Sequence, residues 1–191
     1  MLFIPESRKR PITKSLLYKQ IIRFFEEEGI RDRFEIAFIT INDGVISDFR
    51  FQISDFENHK SKIINRKFQK LPPANFRSGR LWITKEQIEQ MADSIVDFIK
   101  TQEHKNIKTI AYCRGSYLEA VRLASKKSGI EIKEIFSDDE LAQLKKKGIL
   151  WMKVGLRMPT PFIIFRMKIR EFIKEDNDDN NDNKNKQLTL F

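Results

Sequence analysis

The sequence predicts an α/β protein: a small mixed sheet with an Asp-Gly hairpin and a βαβ unit flanked by helices, followed by a disordered acidic C-terminal tail. Three observations carry that expectation. Asn42-Asp43-Gly44 joins two apolar runs, and Asp-Gly supplies the positive φ angles that tight hairpin turns need. Residues 107–136 then read strand, helix, strand, a unit whose strands must lie parallel because a helix carries the crossover. Helical periodicity recurs in residues 12–28, in 84–100 and from Thr160 onward.

Taken in order, an opening basic segment leads into the first helix over residues 12–28. Leu17, Ile21, Phe24 and Phe25 recur there at helical spacing, and Gly29 is placed to end it. Residues 34–41 and 45–53 form the hairpin strands; the second alternates, with Val45, Phe49, Phe51 and Ile53 on one face and Asp48, Arg50 and Gln52 on the other. Residues 54–83, broken by Pro72-Pro73 and Gly79, read as a functional loop. Thr84 and Gln87 make a capping box for a helix through Lys100, with Ile88, Met91, Ala92, Ile95, Phe98 and Ile99 on its buried stripe. A strand over 107–113, a helix capped by Ser116 and ended by Gly129, and a strand over 130–136 come next. Ser137 and Glu140 repeat the capping signature for a short helix ending at Gly148. A strand is expected within 149–156, and Thr160-Pro161 starts a last helix whose inner face is Phe162, Phe165, Ile169, Phe172 and Ile173. No internal repeat is present. Residues 1–173 are expected to form one basic domain.

The 191 residues carry 36 Lys and Arg against 27 Asp and Glu, a net charge of +9. One cysteine cannot form an internal disulfide, and Pro5 and Glu6 interrupt any apolar core of a signal peptide. Apolar runs stay far below the ~20 residues that cross a bilayer. The sequence therefore predicts a cytoplasmic protein with no membrane partner. Because residues 174–186 hold three Lys against five Asp and Glu, the preceding 173 residues carry a net +11. No acidic residue occurs from Asn58 to Lys85 or from Leu141 to Arg170, and each stretch holds eight cations. Clustered like charge of that kind suits a polyanion, DNA or RNA foremost. The candidate nucleic-acid-binding residues are Lys60, Lys62, Arg66, Lys67, Lys70, Arg77, Arg80, Lys145, Lys146 and Lys147. Phe68, Phe76 and Trp82 lie among them and either stack on unpaired bases or belong to the core.

From Lys174 to Lys186 no apolar residue occurs, so nothing offsets the entropy of ordering and a flexible linker is expected. The chain then closes on Gln187-Leu188-Thr189-Leu190-Phe191, apolar anchors with no local partner. These five residues resemble the clamp-binding peptide of bacterial replication and repair proteins, Gln-Leu-x-Leu-Phe, and match it at all four specified positions. The resemblance implies that Gln187 hydrogen-bonds at the rim of a hydrophobic pocket on a bacterial-type sliding clamp. Leu188, Leu190 and Phe191 would fill that pocket, while Thr189 is variable. The eukaryotic and archaeal motif sets its aromatic pair further from the Gln, which implies a bacterial, phage or mobile-element setting. The expected function is a nucleic-acid-binding accessory protein of DNA replication, repair or mobile-element maintenance.

A second constellation, Ala111-Tyr112-Cys113-Arg114-Gly115-Ser116, falls between a strand and a helix, where backbone N–H groups converge and would stabilise an anion or thiolate. With Glu119-Ala120-Val121 it resembles in part the active-site loop of rhodanese-type sulfurtransferases, in which Cys113 would be the nucleophile and Arg114 part of its cradle. The alternative is a buried structural thiol. His59 and His104 are the sole histidines and no phosphate-loop consensus appears, so neither a zinc site nor a cofactor is implied. Glu35, Asp43, Asp48 and Asp55 could serve a metal-dependent nuclease, and an adaptor for an acidic protein is the non-enzymatic rival.

Overall fold

The computed structural model describes residues 1–6, 14–41, 43–47, 76–77, 80–81, 83–101, 108–149 and 155–188, with backbone alone at 76–77, 80–81 and 177–188. The chain divides into two compact units, Met1–Glu134 and Ile135–Phe191.

The first unit is built on a mixed sheet, so the α/β class is as the sequence predicted. Its strands are β1 (Leu2–Pro5), β2 (Ile36–Ile39), β3 (Val45–Ser47), β6 (Thr109–Ala111) and β7 (Ile132–Glu134), in the order β3-β2-β1-β6-β7. Between β3 and β6 in sequence, β4 (Phe76–Arg77) and β5 (Arg80–Leu81) form a separate antiparallel pair. β1 is parallel to both β2 and β6, and β6 is parallel to β7. β3 runs antiparallel to β2, pairing Ile39 with Val45 and Ala37 with Ser47.

β1 occupies the middle of the sheet, although the sequence analysis placed no strand there. Leu2, Phe3 and Ile4 are all buried, and a strand covered on both faces shows a continuous apolar run instead of the alternation that marks a half-exposed one. The hairpin pairing is as expected, but its first strand is shorter and its connection longer. Residues 40–44 separate them, Gly44 has φ +75°, the Thr40 N–H donates to the Gly44 carbonyl at 2.8 Å, and the Asp43 N–H donates to Thr40 Oγ1 at 2.8 Å. The continuation of the second strand, residues 48–53, lies outside the described residues, as does most of the expected loop at 54–83.

Helix α1 (Leu16–Glu27) starts four residues later than periodicity alone suggests, because the Ser15 side chain accepts the Tyr18 N–H at 3.5 Å and sets the cap. It buries Leu17, Ile21, Phe24 and Phe25, and the Phe25 ring stacks on Phe34 at 4.7 Å. Helix α2 (Lys85–Lys100) carries the expected capping box. Thr84 N–H donates to Gln87 Oε1 at 2.9 Å, and Gln87 N–H returns to Thr84 Oγ1 at 3.2 Å. Each bond satisfies a backbone N–H that the helix start leaves open, and losing such a cap costs about 1 kcal/mol. α2 packs on α3 (Ser116–Ser128), with Lys127 Nζ 2.7 Å from Asp93 across the pair.

In the second unit, Ser137 and Glu140 cap α4 (Asp138–Lys146) reciprocally, as the sequence predicted. The strand expected within 149–156 falls mainly on residues outside the described set, and Gly155–Arg157 form a 3-10 turn. α5 (Pro159–Leu188) opens with Pro159 and Pro161, whose missing N–H groups cost nothing in a first turn. Phe162, Phe165 and Ile169 are buried, and the Phe162 and Phe165 rings stack at 5.5 Å. The α5 backbone continues past Ile173 through residues 174–186, where the sequence predicted a disordered linker. Among the described residues, no helix is long and apolar enough to cross a membrane.

Candidate functional site

The sheet order locates the place where a parallel α/β sheet opens toward a ligand. From β1 the chain passes to β2 on one side, and later to β6 on the other, so loops diverge at the carboxyl ends of β1 and β6. Such a topological switch leaves a crevice outside the strand ends. Residue 6 follows β1, Thr40 and Ile41 follow β2, and residues 112–117 follow β6.

Glu6 ties these three segments together. Its N–H donates to the Ile39 carbonyl at 2.9 Å, while its Oε1 accepts the Ile41 N–H at 3.0 Å and the Tyr117 hydroxyl at 3.3 Å. Neither Glu6 nor Tyr117 was a candidate site residue from sequence. Both are ordinary polar side chains far apart in the chain, and only the strand order brings them together.

At the end of β6, the sequence-predicted cap at Ser116 is corrected. Gly115 is the N-cap, with φ +54° and ψ −139° and no side-chain bond, and Ser116 is the first helical residue. The Gly115 carbonyl accepts the Leu118 and Glu119 N–H groups at 2.9 and 3.0 Å. A Cβ at Gly115 would meet nothing within 4 Å, so it is the backbone angle that demands glycine, not lack of room. Gly115→Ala is therefore expected to cost about 1–3 kcal/mol, read as a lowered urea midpoint with an unchanged slope.

Cys113 is buried, and its thiol donates to the Phe3 carbonyl at 3.7 Å. Burial, and secondarily the Glu134 carboxylate, pushes its pKa far above the ordinary thiol value. A catalytic cysteine needs the opposite shift and an exposed sulfur. Burial also raises the Tyr112 phenol, and it lowers the pKa of the half-buried Arg114. In the unfolded chain the Cys113 thiol and the Tyr112 phenol ionise at ~8.5 and ~10, whereas the folded chain keeps both protons. The unfolded state then binds fewer protons, so stability present below about pH 8.5 should fall as pH rises above it. Native Cys113 should resist Ellman's reagent at pH 8 and react fully in urea. Rapid reaction of the native thiol would contradict this geometry.

Among the described residues, no group of three or more His, Cys, Asp or Glu side chains is arranged to hold a metal ion. Glu35 accepts a hydrogen bond from Ser47 Oγ across β3, Asp43 sits in the hairpin connection, and Asp48 and Asp55 lie outside the described residues. Among the described residues at these strand ends, the one thiol, Cys113, is buried and so is not poised as a nucleophile.

The candidate cations fall in three places. Lys60, Lys62, Arg66, Lys67 and Lys70 lie outside the described residues. Arg77 and Arg80 are register partners in the β4–β5 pair, which sets two cations opposite each other. Lys145, Lys146 and Lys147 are exposed at the carboxyl end of α4, where the helix dipole also favours positive charge. Gln187 and Leu188 are the final residues of α5, and Thr189, Leu190 and Phe191 lie outside the described residues.

No protein-family model and no curated protein matches the chain. Among solved structures, the chain is similar to the crystal structure of AF0587, a protein of unknown function, with a TM-score of 0.45 and 14% identity over 76% of this chain and 43% of that one. The chain thus spans less than half the length of that protein.

Proposed function

We propose that this protein is a cytoplasmic nucleic-acid-binding accessory factor of DNA replication, repair or mobile-element maintenance, recruited to a bacterial-type sliding clamp by Gln187, Leu188, Leu190 and Phe191. The observation that carries the proposal is the chain end: a four-position match to the clamp-binding pattern behind thirteen residues without one apolar side chain. Supporting it is the net +11 of residues 1–173, with exposed Lys145, Lys146 and Lys147 on α4. The α5 backbone carries Gln187 roughly 21 Å beyond Ile173 at ~1.5 Å per residue.

Binding of labelled DNA to the full chain should weaken steeply with salt, by about 10³–10⁵ between 50 and 200 mM if six to ten phosphates are neutralised. Changing Lys145, Lys146 and Lys147 to Glu should weaken all sequences alike and flatten the salt slope by about three if each lysine meets a phosphate. Salt-insensitive binding, or none at low ionic strength, would leave the adaptor for an acidic protein as the better account. A small-enzyme reading draws on one specific observation, the topological switch at the ends of β1 and β6. Sulfur transfer suits it poorly, since Cys113 is a buried thiol. Thiosulfate-to-cyanide transfer that vanished in Cys113→Ser would favour it, and no such transfer is expected.

A further inference from the structure

The β4–β5 pair separates its charged residues from its apolar ones. Opposed residues of an antiparallel pair share a face and successive residues alternate, so the register Phe76 with Leu81 and Arg77 with Arg80 makes one face apolar and the other cationic. Two residues, 78 and 79, connect the arginines, which therefore stand at the turn end of the ribbon. Opposed positions have Cβ atoms about 5 Å apart, and like charges set there are destabilising. An acidic residue across the ribbon would relieve the pair, but the register supplies a second arginine instead. Nor does the local sequence offer one: no Asp or Glu lies between Glu57 and Glu86, and that stretch holds six more cations besides Arg77 and Arg80.

We infer that the cationic face of this ribbon grips the sugar–phosphate backbone of nucleic acid, with Arg77 and Arg80 acting as one unit on neighbouring phosphates. The inference rests on the nucleic-acid reading above and adds to it a contact element and a mode of contact that ignores base sequence. A guanidinium presents two parallel N–H groups to a phosphate, and an anion set against both arginines turns their mutual repulsion into shared attraction. An occupant of repeating charge fits better than a single phosphate, because Lys60, Lys62, Arg66, Lys67, Lys70 and Lys85 belong to the same acid-free stretch. A protein partner would need an apolar centre to its contact, whereas the register gives this face two arginines and no apolar residue.

The test uses the full chain with fluorescein-labelled duplexes of two unrelated sequences, titrated at several salt concentrations. Arg77→Gln combined with Arg80→Gln should weaken binding to both duplexes alike and reduce the slope of log K against log salt by about one to two, one for each phosphate no longer neutralised. Arg77→Lys combined with Arg80→Lys keeps both charges and should restore the slope. Lys19→Gln combined with Lys126→Gln removes two exposed cations elsewhere and should keep the wild-type slope. The glutamine pair should melt no lower than wild type, since it removes a like-charge pair. A wild-type slope and affinity in the glutamine pair would overturn the inference and leave the nucleic-acid reading intact, whereas wild type that binds neither duplex would overturn both. A lysine pair that fails to restore the slope, or a Lys19 and Lys126 control that flattens it equally, would also overturn the inference, the first by tracing the loss to misfolding and the second to net charge. Binding of inorganic phosphate, polyglutamate or anionic vesicles that needs the arginine pair while duplex binding does not would assign the ribbon to that anion and equally overturn it.

Discussion

Phe3→Ala should be the most destabilising single substitution in the first unit, at about 3–5 kcal/mol. Phe3 is fully buried at the middle of the sheet, its ring meets Phe98 edge-on at 6.2 Å, and its carbonyl accepts both the Tyr112 N–H at 2.8 Å and the Cys113 thiol. Truncation removes the ring but keeps the carbonyl, so the loss is packing and cavity, not hydrogen bonding. The neighbours cannot collapse into the space, because β2 and β6 hold β1 on both sides. A domain of this size has roughly 5–15 kcal/mol in all, so the variant should lose a large share of it, with Tm falling by roughly 6–20 °C. Leu16→Ala, at an exposed position on α1, is the control and should stay within ~0.5 kcal/mol of wild type. A Phe3→Ala melting curve that overlays the control would show that β1 does not hold the sheet together.

The prominence of β1 shows which parts of this fold were legible in the sequence. The two capping boxes at Thr84 and Ser137 were, because a cap is a bond between residues three apart and its signature is local. The pairing of β2 with β3 and of β6 with β7 was legible too, since a short connection or a single crossover helix leaves little choice of partner. β1 was not, because four apolar residues before Glu6 carry no period, and their partners lie 34 and 108 positions away in the register Leu2 with Ile36 and Ile110. The same nonlocality hid Glu6, whose carboxylate gains its meaning from Ile41 and Tyr117. The Cys113 segment was legible as a strand-to-helix turn but not as chemistry. Composition cannot distinguish a thiol that faces a buried carbonyl from one that faces solvent. Ser116 was misplaced for a related reason: Gly115 at positive φ starts the helix one residue earlier than a side-chain cap would.

Removing residues 187–191, or changing Leu190 and Phe191 to Ala, should abolish binding to a bacterial-type sliding clamp while leaving Tm unchanged. The two halves of that outcome have separate causes. Stability should not move because residues 174–186 hold no apolar side chain, so the segment before the peptide has no means of docking on a core. Recruitment should vanish because the proposed contact concentrates three apolar side chains in five residues, and few other groups remain to replace them. Gln187 and Leu188 stand in the last turn of α5, where carbonyls lack intrahelical partners, so drawing the peptide out straight breaks few hydrogen bonds. The reach of the segment depends little on its conformation: helix gives roughly 20 Å over residues 174–186, and a flexible coil of that length has a similar root-mean-square span. Peptide affinity alone should be modest, near the micromolar range, because a short chain end must be ordered for each contact it makes. With DNA threaded through the clamp, contact by the basic residues should raise the combined affinity about 10²–10⁴-fold through effective concentration, and the Lys145, Lys146 and Lys147 to Glu variant should lose that gain while keeping the bare-clamp affinity. A synthetic 186–191 peptide that leaves the clamp untouched would remove the recruitment proposal, and a truncation that lowers Tm would make residues 187–191 part of the folded structure instead.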